Sequence, residues 1–424
     1  MTDLISKKIR GFRDILPEEC KKFHFLEKTI HMLAPLFNIN QIKIPVLESE
    51  NLFKRSIGEG SDIVTKEMYA FTDKNNETVC MTPEGTASTV RLALENNLIY
   101  DRGIKKNRFY YIAPMFRHER PQKGRYRQFN QFGVEFFGEK SFLEDIDLLL
   151  LSEKLFKIIK LPDIKLFLNT IGSASDRENY SRDLQEYFNK YSKELTDQQK
   201  NTVLINPIRL LDSKDAKLKN ILATAPCISD YLNKNSQTNF NKIQNTLSDL
   251  NIPYIHDDKL VRGLDYYNDL VFEWKTDKLG TQDAICAGGR YDGLSKAIGS
   301  HDIPSVGFAM GIDRIVQLIN YESNETIIGL SFLSDNINQE YKLTSQIRDN
   351  IEYSRLIVLP HGKSLSKQIK LAAKNKCHFL IIVGEDEISN NTLTIKHLNN
   401  NMDDESIHLD GLNDFIQGHD INER

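Results

Sequence analysis

The chain has little cysteine, one tryptophan and almost no net charge. Five cysteines in 424 residues (Cys20, Cys80, Cys227, Cys286 and Cys377) form no C-x-x-C pair, which argues against both a structural zinc site and a disulfide framework. No apolar run approaches the ~18 residues of a membrane span. The first residues, Met1-Thr-Asp-Leu-Ile-Ser-Lys-Lys, lack the apolar stretch of a signal peptide, so a cytoplasmic protein is expected. The phosphate-binding string G-x-x-x-x-G-K-[ST] is absent, so any nucleotide must be held by another scheme. With 40% hydrophobic and 9% aromatic residues, the composition is that of a globular chain and excludes collagen-like and disordered classes. At ~150 residues per domain, two or three folded domains are expected.

Charge is more informative along the chain than in total. Lys and Arg number 55 against 59 Asp and Glu, for a net charge of -4, without the basic excess that polyanion binding normally leaves. Yet Lys105 to Arg127 holds eight basic residues and one acid, Glu119, while Lys342 to Lys376 holds eight basic residues and two acids. Ten acids and two bases after Lys376 offset the second window. The basic charge is therefore concentrated in two places.

Periodicity outlines the elements. Pro17, followed by Glu18 and Glu19, suits a first helical turn, and Phe23, Leu26, Ile30, Leu33 and Phe37 recur at helical spacing. Gln41-Ile-Lys-Ile-Pro-Val-Leu-Glu alternates as a strand in which Pro45 implies an edge or interface position. Strands are predicted at Glu77 to Thr82, Arg108 to Phe116 and Phe129 to Phe137, the last two joined by a basic loop around Pro121 and Gly124. Residues 170–253 turn polar and helix-periodic, as an inserted module. Strand texture returns at Leu260 to Trp274 and Ala284 to Ala287, and Gly288-Gly-Arg-Tyr-Asp-Gly taken alone suggests a turn. Val306 to Val316 runs from strand into helix. Beyond a polar link near 321–326, strands alternate with helices as in a parallel α/β sheet.

Several residues are placed to do chemistry. Arg117, near a strand end, and Arg125, on the next loop, have the planar guanidinium that suits phosphate oxygens, although a solvated charged hairpin explains their charge equally well. Arg314 opens a helix after Gly307 and Gly311, where anions are favoured, although a glycine-rich strand-to-helix turn by itself more often serves packing alone. Arg262, flanked by apolar residues, is by type more often a structural ion pair than a catalyst. Gln131 and Glu135 fall on one face of a strand, and Glu84 follows Thr82-Pro83. Such carboxylates need partners: a cationic ligand or the neighbouring arginines.

Together these pieces resemble the class II aminoacyl-tRNA synthetases and, within them, the histidyl-tRNA synthetase family. The three class motifs correspond to Gln41 to Arg55, Arg108 to Phe137 and Gly307 to Val316. The more specific strings are Leu260-Val-Arg-Gly-Leu-Asp-Tyr-Tyr and Ala287-Gly-Gly-Arg-Tyr-Asp-Gly-Leu, with Gly11-Phe-Arg-Asp-Ile-Leu-Pro and Thr82-Pro-Glu-Gly-Thr in agreement. A non-catalytic paralogue, the regulatory subunit of an ATP phosphoribosyltransferase, characteristically lacks the anticodon-binding unit and erodes the arginine set; here both are intact. Synthetases for glycine, threonine or proline lack the two specific strings.

The resemblance implies an α/β fold: an α+β catalytic domain built on an antiparallel sheet flanked by helices (1–169 and 254–322), a helical insertion (170–253) and a C-terminal α/β anticodon-binding domain (327–424). It implies ligation of L-histidine to the 3′ end of its tRNA through histidyl-adenylate, with ATP and Mg²⁺, by a cytoplasmic homodimer having Pro45 at the interface. Arg262 and Arg117 take the catalytic roles. Arg117, Glu119, Arg125, Phe129 and Arg314 take ATP. Glu84, Gly85, Thr86, Arg117, Gln131, Glu135, Arg262, Tyr266 and Tyr267 take histidine. Lys123, in the Gln122-Lys-Gly-Arg loop, is an expected tRNA contact. Lys363, Lys367, Lys370 and Lys374 follow i, i+4, i+7, i+11 spacing on one helix face, with Leu365, Ile369, Ala372 and Ala373 turned inward. They are expected to meet the tRNA backbone, although a solvated surface helix explains the spacing equally well.

Overall fold

The computed structural model describes residues 7–420 apart from 59, 100–106, 123, 214, 281–282, 322–324, 334–335, 353 and 399–401. Two compact units result, Met1–Tyr321 and Glu322–Arg424. No helix among the described residues is long and apolar enough to cross a membrane.

The first unit is built on an eight-stranded sheet. Its order is Asn40–Gln41, Asn107–Phe116, Gln128–Phe137, Ser305–Gly311, Ala284–Arg290, Asn268–Thr276, Ile164–Thr170 and Tyr254–His256. Pairing is antiparallel except at the two short outer strands. Alternation along these strands divides their side chains between two faces. Phe132, Val134 and Phe136, with Val306, Phe308 and Met310 beside them, enter the main core. There they meet Phe23, Leu26, Ile30 and Leu33 of the helix Pro17–Leu33 and the leucines of the helix Phe142–Ile158. The opposite face carries Gln131, Gly133 and Glu135, paired with Gly311, Ala309 and Gly307. Small residues on that face leave room for a ligand.

Three details differ from the local sequence signals. The stretch 41–48 is interrupted: Asn40–Gln41 joins the large sheet, while Leu47–Ser49 pairs with Thr78–Met81 in a separate three-stranded sheet. Pro45, which has no N–H to give a ladder, lies in the break. Gly288-Gly-Arg is not a turn but the end of the strand Ala284–Arg290. A Cβ on Gly288 would stand 2.3 Å from the Gly307 carbonyl oxygen, so the glycine serves close strand approach rather than reversal. Residues 260–267 are irregular, and the strand starts only at Asn268.

Residues 170–253 contain the helices Ala174–Asn189, Asp197–Ile205, Lys219–Ala223 and Lys234–Asp249, with short 3-10 turns between them. The first and second start with capping boxes, at Ser173 with Asp176 and at Thr196 with Gln199. These satisfy amide groups that a helix start otherwise leaves open. The helix Lys234–Asp249 buries Phe240, Ile243 and Leu247 in the main core.

The second unit is a five-stranded sheet in the order Ser354–Val358, Thr326–Phe332, Phe379–Val383, Thr392–His397 and Glu405–His408. The first three are parallel, as alternation with the helices Ile337–Asp349 and Leu365–Lys374 predicts. The last two are antiparallel additions. Lys367, Lys370 and Lys374 are exposed on the second helix, and Lys363 is exposed just before it. Its inward face is Gln368 and Ala372, with Leu365 and Ile369 partly covered; Ala373 is exposed, contrary to the helical-face expectation.

Candidate active site

A cleft of about 1220 Å³ opens in the first unit, over the glycine- and alanine-rich face of the sheet. The sequence windows that build it are far apart: 60–67, 84–86, 117–131, 196–213, 262–267, 284–287 and 309–314. Register in the sheet is what brings them together.

One end is basic. Arg117 follows the strand Asn107–Phe116, and its Nε donates to the Pro83 carbonyl at 2.8 Å. Its guanidinium also lies 5.5 Å from the Phe129 ring centroid. Arg125 pairs with Glu119, and Glu119 lies 3.9 Å from Arg117 Nη1. Arg314 donates from Nε to the Gly124 carbonyl at 3.2 Å and from Nη1 to the Ala284 carbonyl at 2.5 Å. Carbonyls orient a guanidinium without neutralising it. Burial, followed by the charges of Arg125 and Arg117, lowers the pKa of Arg314. Burial, partly offset by Glu67 and Glu84, lowers that of Arg117. For Arg125 burial again leads, Glu67 works against it, and Arg117 adds to the depression. Three cations held close enough to destabilise one another form a site for a polyanion.

The other end is lined with buried acids and tyrosines. Glu84 caps the helix Gly85–Glu95, accepting from the amides of Thr86 at 2.8 Å and Ala87 at 2.9 Å. Burial pushes its pKa up against these bonds and against Arg117. Glu135 is completely buried. It accepts from Thr86 Oγ1 at 2.8 Å and from the Tyr291 hydroxyl, and burial raises its pKa well above the usual carboxylate range. Its room comes from Gly307, where a Cβ would stand 1.9 Å from Glu135 Oε2. Gly85 and Gly133 likewise make room for the Tyr111 ring, each with a Cβ position 2.1 Å from its Cζ. Tyr266 and Tyr267 line the cleft with ring centroids 4.7 Å apart. Gln131 Oε1 is buried without a hydrogen-bond partner, a group prepared for a ligand donor.

Arg262 lines the same cleft beside Tyr267. It pairs with Glu273, which also accepts from Lys275 at 3.0 Å, and lies 5.5 Å from the Tyr267 ring centroid. Burial works to lower its pKa, but Glu273 and the tyrosines outweigh burial and the net shift is upward. A guanidinium fixed in this way is charged at every working pH.

The family model for histidyl-tRNA synthetase matches residues 11–315, and the model for an anticodon binding domain matches residues 336–419. The chain belongs to the histidyl-tRNA synthetase family. Within that family it is 39% identical over 416 residues to the histidine–tRNA ligase of Francisella philomiragia, covering 96% of this chain and 98% of that one. To the Marinomonas sp. enzyme of the same name it is 41% identical, covering 92% and 93%. The apo histidyl-tRNA synthetase of S. aureus superposes with a TM-score of 0.79 at 29% identity, covering 97% of this chain and 99% of that one. A Bacillus halodurans protein described as an ATP phosphoribosyltransferase regulatory subunit/histidyl-tRNA synthetase shares the fold, with a TM-score of 0.64 at 22% identity, covering 90% and 99%.

Among the residues that the family resemblance singles out, Glu84, Thr86, Arg117, Glu119, Arg125, Phe129, Gln131, Arg262, Tyr266, Tyr267 and Arg314 line this one cleft. Gly85 and Glu135 lie one layer behind it. Lys123 falls outside the described residues, and Lys363, Lys367, Lys370 and Lys374 belong to the other unit. Sequence reasoning did not assign Glu67, Glu273, Tyr111, Tyr291, or the Arg13 to Asp313 pair. Asp313 Oδ1 accepts from Arg13 Nη2 at 2.6 Å, and Oδ2 accepts from the Asn130 amide at 2.6 Å. The Gly11-Phe-Arg-Asp segment is thereby fastened to the helix that carries Arg314 and to the strand that carries Gln131.

Proposed function

We propose that the chain is a histidine–tRNA ligase, which activates L-histidine with ATP to histidyl-adenylate and pyrophosphate and then transfers the histidyl group to the 3′ end of its tRNA. The observation that carries this reading is the pairing, in one cleft, of three mutually repelling arginines with an array of buried acids and tyrosines. A triphosphate suits the first and a cationic, hydrogen-bonding amino acid the second.

ATP lies with its phosphates towards Arg117, Arg125 and Arg314 and its adenine against Phe129. Attack of the histidine carboxylate on the α-phosphorus builds negative charge on the phosphate oxygens, and cations fixed beforehand stabilise it without reorganising. Arg117 and Arg262 serve this role from either side of the α-phosphate. Arg117 is oriented by the Pro83 carbonyl and Arg262 by Glu273. A Mg²⁺ ion accompanying ATP would need only one or two carboxylates; Glu67 and Glu119, which line the cleft with Arg117 and Arg125, would hold it, and it would supply further positive charge to the phosphates.

Histidine places its α-amino group between Glu84 and the unpartnered Gln131 oxygen. Its imidazole lies between Tyr267 and Glu135. The Thr86 hydroxyl occupies Glu135 Oε1 and swings aside by rotation about a single side-chain bond. A polar set of this kind rejects non-hydrogen-bonding analogues by roughly 10⁴–10⁵.

A cytoplasmic homodimer is part of the same reading. Met32, Leu36, Val46 and Leu47, beside and within the segment containing Pro45, are exposed apolar side chains that association would cover. Lys363, Lys367, Lys370 and Lys374 form the face offered to the tRNA backbone, with Lys123 at the acceptor-end loop. The test is charging. Purified chain, ATP, Mg²⁺ and labelled histidine should yield histidyl-tRNA with histidine tRNA and none with a non-cognate tRNA; equal labelling of both, or none, would refute it.

A further inference from the structure

The inserted helices line part of the cleft, and side chains of that lining grip the segment that carries Arg262, Tyr266 and Tyr267. Arg209 lies in the 3-10 turn Pro207–Asp212. Its Nε donates to Asp265 Oδ1 at 3.0 Å and its Nη2 to Asp265 Oδ2 at 2.6 Å. The third nitrogen, Nη1, donates to the Gly60 carbonyl at 2.9 Å. Asn206, just before the turn, donates from Nδ2 to Asp265 Oδ1 at 2.8 Å. A planar guanidinium matched to both carboxylate oxygens fixes direction as well as distance.

The same segment is fastened at its other end. Lys259 Nζ donates to the carbonyl of Leu222, in the inserted helix Lys219–Ala223, at 2.5 Å. Residues 259–265 thus span two points of attachment to the insertion. Arg262 lies between those points, and Tyr266 and Tyr267 follow directly. The Gly60 side is fitted to the same grip. Gly58 has φ +93°, and a Cβ there would stand 2.7 Å from Asp265 Oδ2, so a glycine is what lets the backbone at that position approach the carboxylate.

We propose that Arg209 is a positioning residue for the amino-acid site: by clamping Asp265 it holds Arg262, Tyr266 and Tyr267 in register, so that the insertion sets the affinity for histidine through this clamp. Sub-ångström placement of binding groups governs how well a ligand is held for reaction. Asn206 is a second insertion side chain on the same carboxylate, with a single bond where Arg209 makes two. The arginines that hold the phosphates on binding are anchored elsewhere, Arg117 on Pro83, Arg125 on Glu119 and Arg314 on Gly124 and Ala284. Arg262 acts at the α-phosphate only as charge develops there, so ATP binding does not depend on the clamp.

This proposal rests on the assignment of the cleft to histidine and ATP, and its test separates the two. In full-length protein, histidine-dependent ATP–pyrophosphate exchange is measured for wild type, Arg209→Ala, Arg209→Lys, Asp265→Ala, and Arg209→Ala combined with Asp265→Ala, with KM determined separately for histidine and ATP. Arg209→Ala should raise the histidine KM roughly tenfold, the scale on which networked pairs couple, and leave the ATP KM within about twofold. Arg209→Lys, which keeps the charge but not the paired bonds, should fall between. In the double variant, Asp265→Ala should add less to the loss than it does in the wild-type background, because only the bond from Asn206 is then left to remove. An unchanged histidine KM in Arg209→Ala, or equal rises for histidine and ATP, overturns the clamp while leaving the assignment standing. Wild-type protein without histidine-dependent exchange overturns the assignment and the clamp with it. If Arg209→Ala is recovered unfolded, Arg209→Lys is read by the same criterion.

Discussion

Tyr291→Phe removes one oxygen and leaves almost everything else in place. The Tyr291 ring packs edge-on to Tyr266 and Tyr267 at centroid distances of 5.7 and 6.5 Å, and phenylalanine keeps both contacts. The lost hydroxyl is one of two side-chain donors to Glu135, the other being Thr86 Oγ1. Glu135 is shut off from water, so nothing replaces the bond. A hydrogen bond to a charged group contributes about 1.5–3 kcal/mol. At 1.4 kcal/mol per factor of ten, kcat/KM for histidine should fall roughly 10- to 150-fold. The bond also lowers the Glu135 pKa; without it the carboxyl holds its proton to higher pH, so the deficit should shrink as pH rises. The assay is pyrophosphate exchange with histidine and ATP varied separately over a pH series. A histidine kcat/KM equal to wild type, or equal loss for both substrates, would refute the role given to Glu135.

Other outcomes follow from the same geometry. Arg262→Ala leaves Glu273 its partner Lys275, so the fold and ATP binding should survive while single-turnover adenylate formation slows roughly 10²–10³-fold, the scale of losing one transition-state donor; an unchanged rate would remove Arg262 from catalysis. Glu135→Gln tests the pH linkage. Burial raises the folded pKa above the unfolded 4.5, so the stability that Glu135 contributes is full below about that pH and is lost as pH rises towards the folded value. The melting temperature of the variant relative to wild type should therefore climb from pH 5 upward, and a flat difference would show that the carboxyl is not strained by burial. Charge reversal at Lys367 and Lys370 should weaken tRNA binding and flatten its salt dependence; if both stay unchanged, the stripe serves solubility alone.

Local pattern carried the catalytic unit's framework. The strand, basic loop and return strand of 107–137 were legible because period-two alternation and the Pro121 to Gly124 interruption are local signals. Arg117 and Arg125 stand out because the charge of 105–127 is clustered in sequence, whereas Arg262 and Arg314 lie outside both basic windows and are singled out by their apolar and glycine neighbours. What escaped depends on register between distant strands. Gly288 and Gly289 look like turn residues until Gly307 and Phe308 are placed opposite them, and Tyr291 has no visible role until Glu135 lies within reach of its hydroxyl. The Arg13 to Asp313 pair joins residues 300 positions apart, beyond any periodicity. In the second unit, Thr392–His397 alternates in burial but is polar in composition, and Gln368 is fully buried where an apolar residue would be expected.

The central claim is that this cleft activates histidine in particular. ATP–pyrophosphate exchange by the purified full-length chain, across a panel containing histidine, glycine, threonine, proline and a histidine analogue without the ring N–H, tests it most directly. Exchange dependent on histidine, with the others at background, is the predicted result. Background exchange with histidine, or stronger exchange with another member of the panel, would contradict it.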